Sequence, residues 1–443
     1  MRAAIVVLWL AVGFALPACE DRSLIDGMFT PPEWEKLSQL TPVGLPPPSP
    51  TNRFADDPQA AAFGQRLWFD KHFAGQIIDG TPDDGGLGWP GDEQRVACAD
   101  CHDPQRWFTD TRSKPNRTSL GTSRTRRNAP SIVNAVFYKW GNWAGANDQL
   151  WKQGANLPEA KEVFNSDRLR FAHVIYAYYR ADYDALFEPD LDPALDPSAP
   201  DAMRFPPSGK PAGGGAPGPW ETMTEADQRA VNRIMASCGK ALEAYERRLV
   251  SRDAPFDRYV AGDLHALSTS AKRGLKLFIG KAGCASCHGG ETFTDQDFHD
   301  TGVAQEGPQL DNGRYDDVTR LSNIWNGAGE FSDDRVAGAE KLAGISQSET
   351  MLGQFRTKSL RHVAETGPYF HNGSASSLAE VVRFYNGGGG PEGSYPGKKE
   401  DQIVPLNLGE QEIDDLVEFL RSLTGDPVPA DLMMNTAATS PSI

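Results

Sequence analysis

Cys98-Ala99-Asp100-Cys101-His102 is spelled a second time in this chain, as Cys284-Ala285-Ser286-Cys287-His288. Two thiols at this spacing can each add to a vinyl group of one porphyrin, and the adjoining histidine is then placed to bind the iron. The chain has six Cys and eight His, so chance repetition of the whole pattern is remote. A redox CxxC pair or half of a zinc site would use the same thiols. Zinc, however, wants a second CxxC or a pair of histidines, which neither stretch supplies. The motifs assign two covalently bound haems c, with Cys98, Cys101, Cys284 and Cys287 as attachment points and His102 and His288 as iron ligands.

With 443 residues the chain can form two or three domains with ample core. A net charge of −16 with no basic cluster argues against nucleic-acid binding, while an acidic surface suits a basic partner such as an electron carrier. Four of the six cysteines are spent on the motifs, which excludes a disulfide framework. At the start, Arg2 precedes an apolar run from Ala3 to Leu16, followed by Pro17-Ala18-Cys19. That pattern is a signal peptide over 1–18 of the lipoprotein type, with Cys19 as the lipidated first residue. Pro17 is unusual before such a cysteine, so ordinary signal cleavage nearby is the alternative. The run is shorter than the ~18 residues a membrane span needs. The chain is expected to be exported and periplasmic, anchored by lipid at the outer membrane or cell surface.

Residues 19–56 are Pro-rich and read as an extended leader. A first haem domain is expected over 57–255, interrupted by a Pro-, Gly- and Asp-rich surface insertion at 188–221. A second is expected over 256–425, and 426–443 is a tail. Gly64-Gln-Arg-Leu67-Trp68 parallels Gly274-Leu-Lys-Leu277-Phe278 before the two motifs, and Phe108-Thr109-Asp110 parallels Phe293-Thr294-Asp295 after them. This is the mark of a duplicated helical unit. Val231, Ile234, Met235, Cys238, Leu242, Tyr245 and Leu249 share one helix face, as do Ile413, Leu416, Val417, Leu420 and Leu423. On the first face Cys238 reads as a buried structural thiol. The fold class is mainly α: two cytochrome-c-like haem domains with long loops.

From Asp57 to Gly425 the chain resembles the bacterial di-haem cytochrome c peroxidases and their MauG-like relatives. The resemblance is carried by Gly64 to Asp70, Cys98 to His102, Arg127-Asn128-Ala129-Pro130-Ser131, Trp143, Gln153, Glu162, Cys284 to His288, Leu360-Arg361 and Thr366 to Gly373. It implies that the first haem reacts with hydrogen peroxide and that the second stores or relays electrons. Glu162 then matches the carboxylate above the peroxidatic iron, where a proton carrier is needed, and Gln153 a polar neighbour in the same pocket. Trp143 matches the tryptophan between the haems. Asn128, with the carbonyls of Thr366 and Pro368, matches a calcium site between the domains, and oxygen donors suit that ion. Without the resemblance, Glu162 and Gln153 would read as solvated side chains, Trp143 as core and Asn128 as a turn residue.

Two departures point to the MauG-like branch. No histidine lies between His102 and His173, so the first haem lacks the distal ligand of peroxidases that rest inactive. The position of the family's axial methionine on the second haem is Tyr385, on a helical face with Leu378, Val381 and Val382. A core tyrosine is the plain alternative, with Met351 as a remote substitute ligand. A phenolate would favour oxidised states of the iron. The expected function is peroxide-driven oxidation of a partner protein, including modification of its Trp or Tyr residues. The alternatives are peroxide detoxification with a small redox-protein donor, and a non-enzymatic electron-transfer cytochrome. Trp143-Ala144-Gly145-Ala146 and Ala155-Asn156 depart from the family pattern. Arg356 and Arg361 are candidate propionate partners. His72, His173, His265, His299 and His371 are given only local hydrogen bonds.

Overall fold

The computed structural model describes residues 24–40, 43–110, 112–113, 118–307 and 310–441. The expected signal peptide and Cys19 lie outside the described residues. The first helices are α1 (Pro31–Ser38), α2 (Pro58–Trp68), α3 (Cys98–Cys101), α4 (Leu150–Asn156), α5 (Arg168–Asp184) and α6 (Glu225–Glu246). They are followed by α7 (Pro255–Val260), α8 (Thr269–Ile279), α9 (Arg314–Asp317), α10 (Arg335–Leu342), α11 (Leu378–Asn386) and α12 (Glu410–Arg421). One short antiparallel ladder joins β1 (Phe298–His299) to β2 (Phe355–Arg356), with Phe298 opposite Arg356. The protein is mainly helical with little sheet, as expected.

Capping side chains mark where the longer helices begin. The Thr224 hydroxyl accepts from the Asp227 amide at the start of α6, Ser268 from Ala271 at α8, and Ser377 from Glu380 at α11. The apolar stripe of α6 is buried, Cys238 included, and burial pushes that thiol well above its ordinary pKa. Cys238 is packing, not chemistry.

The duplicated stretches perform the same packing task. α2 lies against α6 and α8 against α12. A Cβ at Gly64 would sit 2.0 Å from the Ala241 carbonyl oxygen, and one at Gly274 would sit 1.9 Å from that of Asp415. Each crossing therefore requires a residue without a side chain. Around these crossings lie two hydrophobic clusters. One contains Trp68, Phe108, Trp151, Tyr179 and Tyr245, and the other contains Phe256, Phe278, Phe293, Leu378 and Phe419.

Three segments differ from the sequence reading. The leader is not simply extended, because Thr30 and Glu33 form a capping box that starts α1 at Pro31. Phe29 and Leu37 then bury in the second cluster. The 188–221 insertion is more than surface, since Leu191, Leu195, Phe205 and Trp220 join the first cluster. The tail also docks there: Val428 and Leu432 are buried, and the Leu432 carbonyl accepts from the Tyr245 hydroxyl at 2.6 Å. Apolar side chains spaced among prolines and glycines outweighed the composition in each case.

Residues of the two halves are tied by a buried ion cluster. Arg127 donates to Asp311 at 2.7 and 2.8 Å and to Asp317 at 2.5 Å. That pairing holds the Asp311 carboxyl well below the usual range, against the opposing effect of burial. No helix among the described residues is long and apolar enough to cross a membrane.

Candidate haem sites

The first motif folds as the single turn α3. Asp100 accepts from the Ala97 amide at 2.7 Å and fixes the start of that turn. His102 follows, with Nδ1 2.9 Å from the Pro130 carbonyl and 3.2 Å from that of Phe108. At the second motif, His288 Nδ1 lies 3.0 Å from the Phe293 carbonyl. Phe108 and Phe293, the repeated residues after each motif, both hold left-handed backbone, at φ 53° and 52°. That conformation is costly for a bulky residue, and here it accompanies a carbonyl held at the histidine. In both sites Nδ1 keeps its proton for that carbonyl, which leaves Nε2 to a metal. Burial lowers the pKa of both imidazoles and so favours the neutral, ligating form. The four motif thiols form no disulfide, and burial pushes Cys101 and Cys284 up to about 12. These are apolar settings that a thioether would share.

Around the second motif a cavity is lined by Cys284, Cys287, His288, Tyr385, Arg356 and Lys358. Burial pushes the Tyr385 hydroxyl up to about 12, opposed by a hydrogen bond with the Thr301 side chain, with Cys284 and Cys287 adding smaller upward shifts. Arg356 is only 4% exposed, and its Nε and Nη1 have no hydrogen-bond partner among the described residues. Burial lowers the pKa of Arg356 to about 10 and moves the Lys358 ammonium well below its ordinary value. A buried guanidinium without an acceptor is costly. The propionates of a haem would supply the missing negative charge, and Arg forks suit carboxylates. The residues present therefore fit the group. Arg361 lines the same cavity but has an anionic partner of its own. It is already paired with Asp257 at 2.7 and 2.8 Å, a carboxylate as deeply buried as itself.

Glu162 is exposed, on a loop whose backbone is bonded to the segment beside Cys101. Its carbonyl accepts from the Ser123 amide, and Cys101 Sγ lies 4.0 Å from the neighbouring Leu120 carbonyl. Gln153, on α4, accepts from Asn147 at 3.1 Å. Trp143 donates from Nε1 to the Asn128 carbonyl at 2.7 Å, lines the second cavity, and has Lys358 Nζ 4.8 Å over its ring. Asn128 is buried, with its amide nitrogen 3.2 Å from the Pro368 carbonyl, and Thr366 lines the same cavity.

Several residues around the sites had no role in the sequence reading. His371 is buried, stacks on Phe355 at 3.8 Å and meets Trp143 edge-on at 6.5 Å. Tyr138 lies under the Arg356 guanidinium at 3.4 Å. Trp107 stacks on His362 at 5.2 Å with the rings 14° apart. Each pairs residues distant in sequence, and the only visible signal was an aromatic or histidine close to a motif.

The family model for di-haem cytochrome c peroxidases matches residues 58–265. The cytochrome-c peroxidase IdrP1 of Denitromonas iodatirespirans is 33% identical over 87% of each chain. The methylamine utilization protein MauG of Methylorubrum extorquens is 36% identical over 43% of this chain and 45% of its own. Among solved structures, a MauG-like protein associated with microbial copper homeostasis aligns with a TM-score of 0.57 at 24% identity, covering 89% of this chain and 98% of the other. The di-haem peroxidase BthA of Burkholderia thailandensis aligns at 0.55 and 22%, covering 90% and 95%. At these identities the structural likeness shows the fold.

Proposed function

This chain belongs to the di-haem cytochrome c peroxidase family and is a haem peroxidase, and from that premise we propose that it acts in the MauG-like manner on a partner protein. Hydrogen peroxide is the oxidant, and the partner gives up the electrons, with its Trp or Tyr side chains as the sites of modification. The observation that carries this reading is Tyr385, which lines the cavity of the second motif together with His288. When bound, haem iron supplies the centre where peroxide is reduced and electrons are collected.

The chain's own residues do the rest. His102 and His288 each offer Nε2 while Nδ1 stays locked to a carbonyl. Glu162, exposed and so open to incoming peroxide, takes a proton from the bound oxidant and returns it to the departing water. Gln153 positions a polar group near that pocket. Tyr385, which lines the cavity of the second motif with His288, would offer its phenol oxygen to the second haem. Arg356 and Lys358 neutralise propionates. Asn128 with the carbonyls of Thr366 and Pro368 would hold a calcium ion once the Asn128 amide, whose nitrogen donates to the Pro368 carbonyl at 3.2 Å, is turned over to present its oxygen. The two halves, 57–255 and 256–425, are the two haem domains. The chain is exported, and Cys19 anchors it by lipid.

Electron paramagnetic resonance of the diferric protein tests the assignment. One high-spin haem with an open site and one six-coordinate haem are expected, and two low-spin six-coordinate haems would overturn it. A second reading, peroxide removal with a small redox protein as donor, draws on one observation. The cytochrome-c peroxidase IdrP1 aligns over 87% of the chain at 33% identity, against 74% at 29% for the MauG of Methylophilus methylotrophus. Mass spectrometry of exported proteins after peroxide treatment separates the two, because only the first reading leaves a covalent change on a partner.

A further inference from the structure

The single N–H of His102 is shared by two carbonyls, and each leads to a tryptophan. The Pro130 carbonyl, at 2.9 Å, is two residues from Asn128, whose own carbonyl accepts from Trp143 at 2.7 Å. The Phe108 carbonyl, at 3.2 Å, belongs to the residue directly after Trp107. Ser131 clamps the two branches together, donating to the Trp107 carbonyl at 2.5 Å. Both tryptophans then meet the second half. Trp143 lines its cavity, and Trp107 lies flat on His362, which lines the same cavity. His362 is 3% exposed, and its Nδ1 has no partner among the described residues. The imidazole face lies on the indole, and the ring also hydrogen-bonds the Val133 backbone.

We propose that Trp107, stacked on His362, is a second electron relay between the two haem-binding halves, parallel to Trp143. This rests on the two-haem reading above. One electron leaves the Trp107 indole for the first half, and the ring is left as a radical cation that keeps its Nε1 proton. An electron from the second half crosses the stacked imidazole and refills it. Trp107 is therefore unchanged over the cycle, the oxidising equivalents come from hydrogen peroxide, and the replacing electron comes from the partner protein. His362 bridges without itself being oxidised, because a neutral imidazole is much harder to ionise than an indole.

The test uses the full haem-loaded chain. Hydrogen peroxide is mixed rapidly with the diferric chain, and equilibration of the oxidising equivalents between the haems is followed by absorbance. Trp107→Phe and Trp143→Phe should each slow equilibration several-fold, and the double variant should be slower than either. Trp107 also packs against the first cluster, so His362→Leu, which removes the stacked ring and keeps the indole, is a second route to the same slowing. Haem content and thermal midpoint close to those of the unaltered chain separate relay from packing. Fewer than two haems per chain in the unaltered protein would sink the two-haem reading and the relay together. Two haems with wild-type equilibration in Trp107→Phe and His362→Leu, and a double variant no slower than Trp143→Phe, would overturn the relay alone.

Discussion

Exchanging Tyr385 for methionine replaces a hard oxygen donor by a thioether in a cavity that also holds His288. A phenolate stabilises ferric iron, whereas His/Met ligation raises the potential. Tyr385→Met should therefore raise the midpoint potential of the second haem in a spectroelectrochemical titration, and an unmoved potential would mean that another group is the ligand. Glu162→Gln keeps the size of an exposed side chain and removes its proton-carrying capacity. It should slow reaction with peroxide by about 10²–10⁴-fold, the span of general acid–base catalysis, with haem content unchanged; stopped-flow mixing decides, and wild-type kinetics would strip Glu162 of the role. At this scale legibility followed chemistry. Haem attachment needs contiguous residues, so Cys98 to His102 and Cys284 to His288 could be read directly. Trp107 with His362, and Arg356 over Tyr138, are contacts between remote segments that no local pattern encodes.

Helix crossings carry the duplication. Gly64 and Gly274 each let a helix approach a carbonyl so closely that a Cβ would fall about 2 Å from the oxygen. Overpacking of this kind costs roughly 1–3 kcal/mol, and backbone on both sides leaves little to yield. Gly64→Ala and Gly274→Ala should each lower the thermal midpoint by several degrees in calorimetry. Gly409→Ala, at the N-cap of α12, where a Cβ would meet nothing within 4 Å, is the control. Equal midpoints for all three would show that the crossings relax freely. The repeat of Gly-x-x-Leu was visible in the sequence, but the partner carbonyls of Ala241 and Asp415 were not. α1 was hidden for a different reason. Pro31-Pro32 reads as a breaker, yet proline is well suited to the first turn of a helix once Thr30 and Glu33 cap it.

Across the whole molecule, the two halves meet over buried groups whose charge states set the acid limit of stability. His362 and His371 are both about 3% exposed. Burial is the largest cause pushing each imidazole down to about 3, with the Arg361 charge adding to it at His362 and that of Arg127 at His371, against opposition from Asp311. In the unfolded chain both would titrate near 6.5. Between pH 6.5 and about 3 the unfolded chain thus binds more protons than the folded one, so stability falls as pH falls through that window, and neither group contributes to pH dependence above it. Each can add a slope of up to about 1.4 kcal/mol per pH unit. Asp311, held low by Arg127, adds to the loss only below the ordinary aspartate range. Thermal midpoints of the haem-loaded protein should therefore begin to drop already near pH 6, before most carboxylates titrate. His371→Phe keeps an aromatic ring against Phe355 and removes the proton site, and it should flatten the upper part of that decline. A variant as acid-sensitive as the unaltered chain between pH 6.5 and 5 would place the sensitivity elsewhere. The pairing of Arg127 with Asp311 and Asp317, like the contacts of His362 with Trp107 and of His371 with Trp143, joins segments far apart in the chain, which is why the sequence showed a repeat but not these contacts.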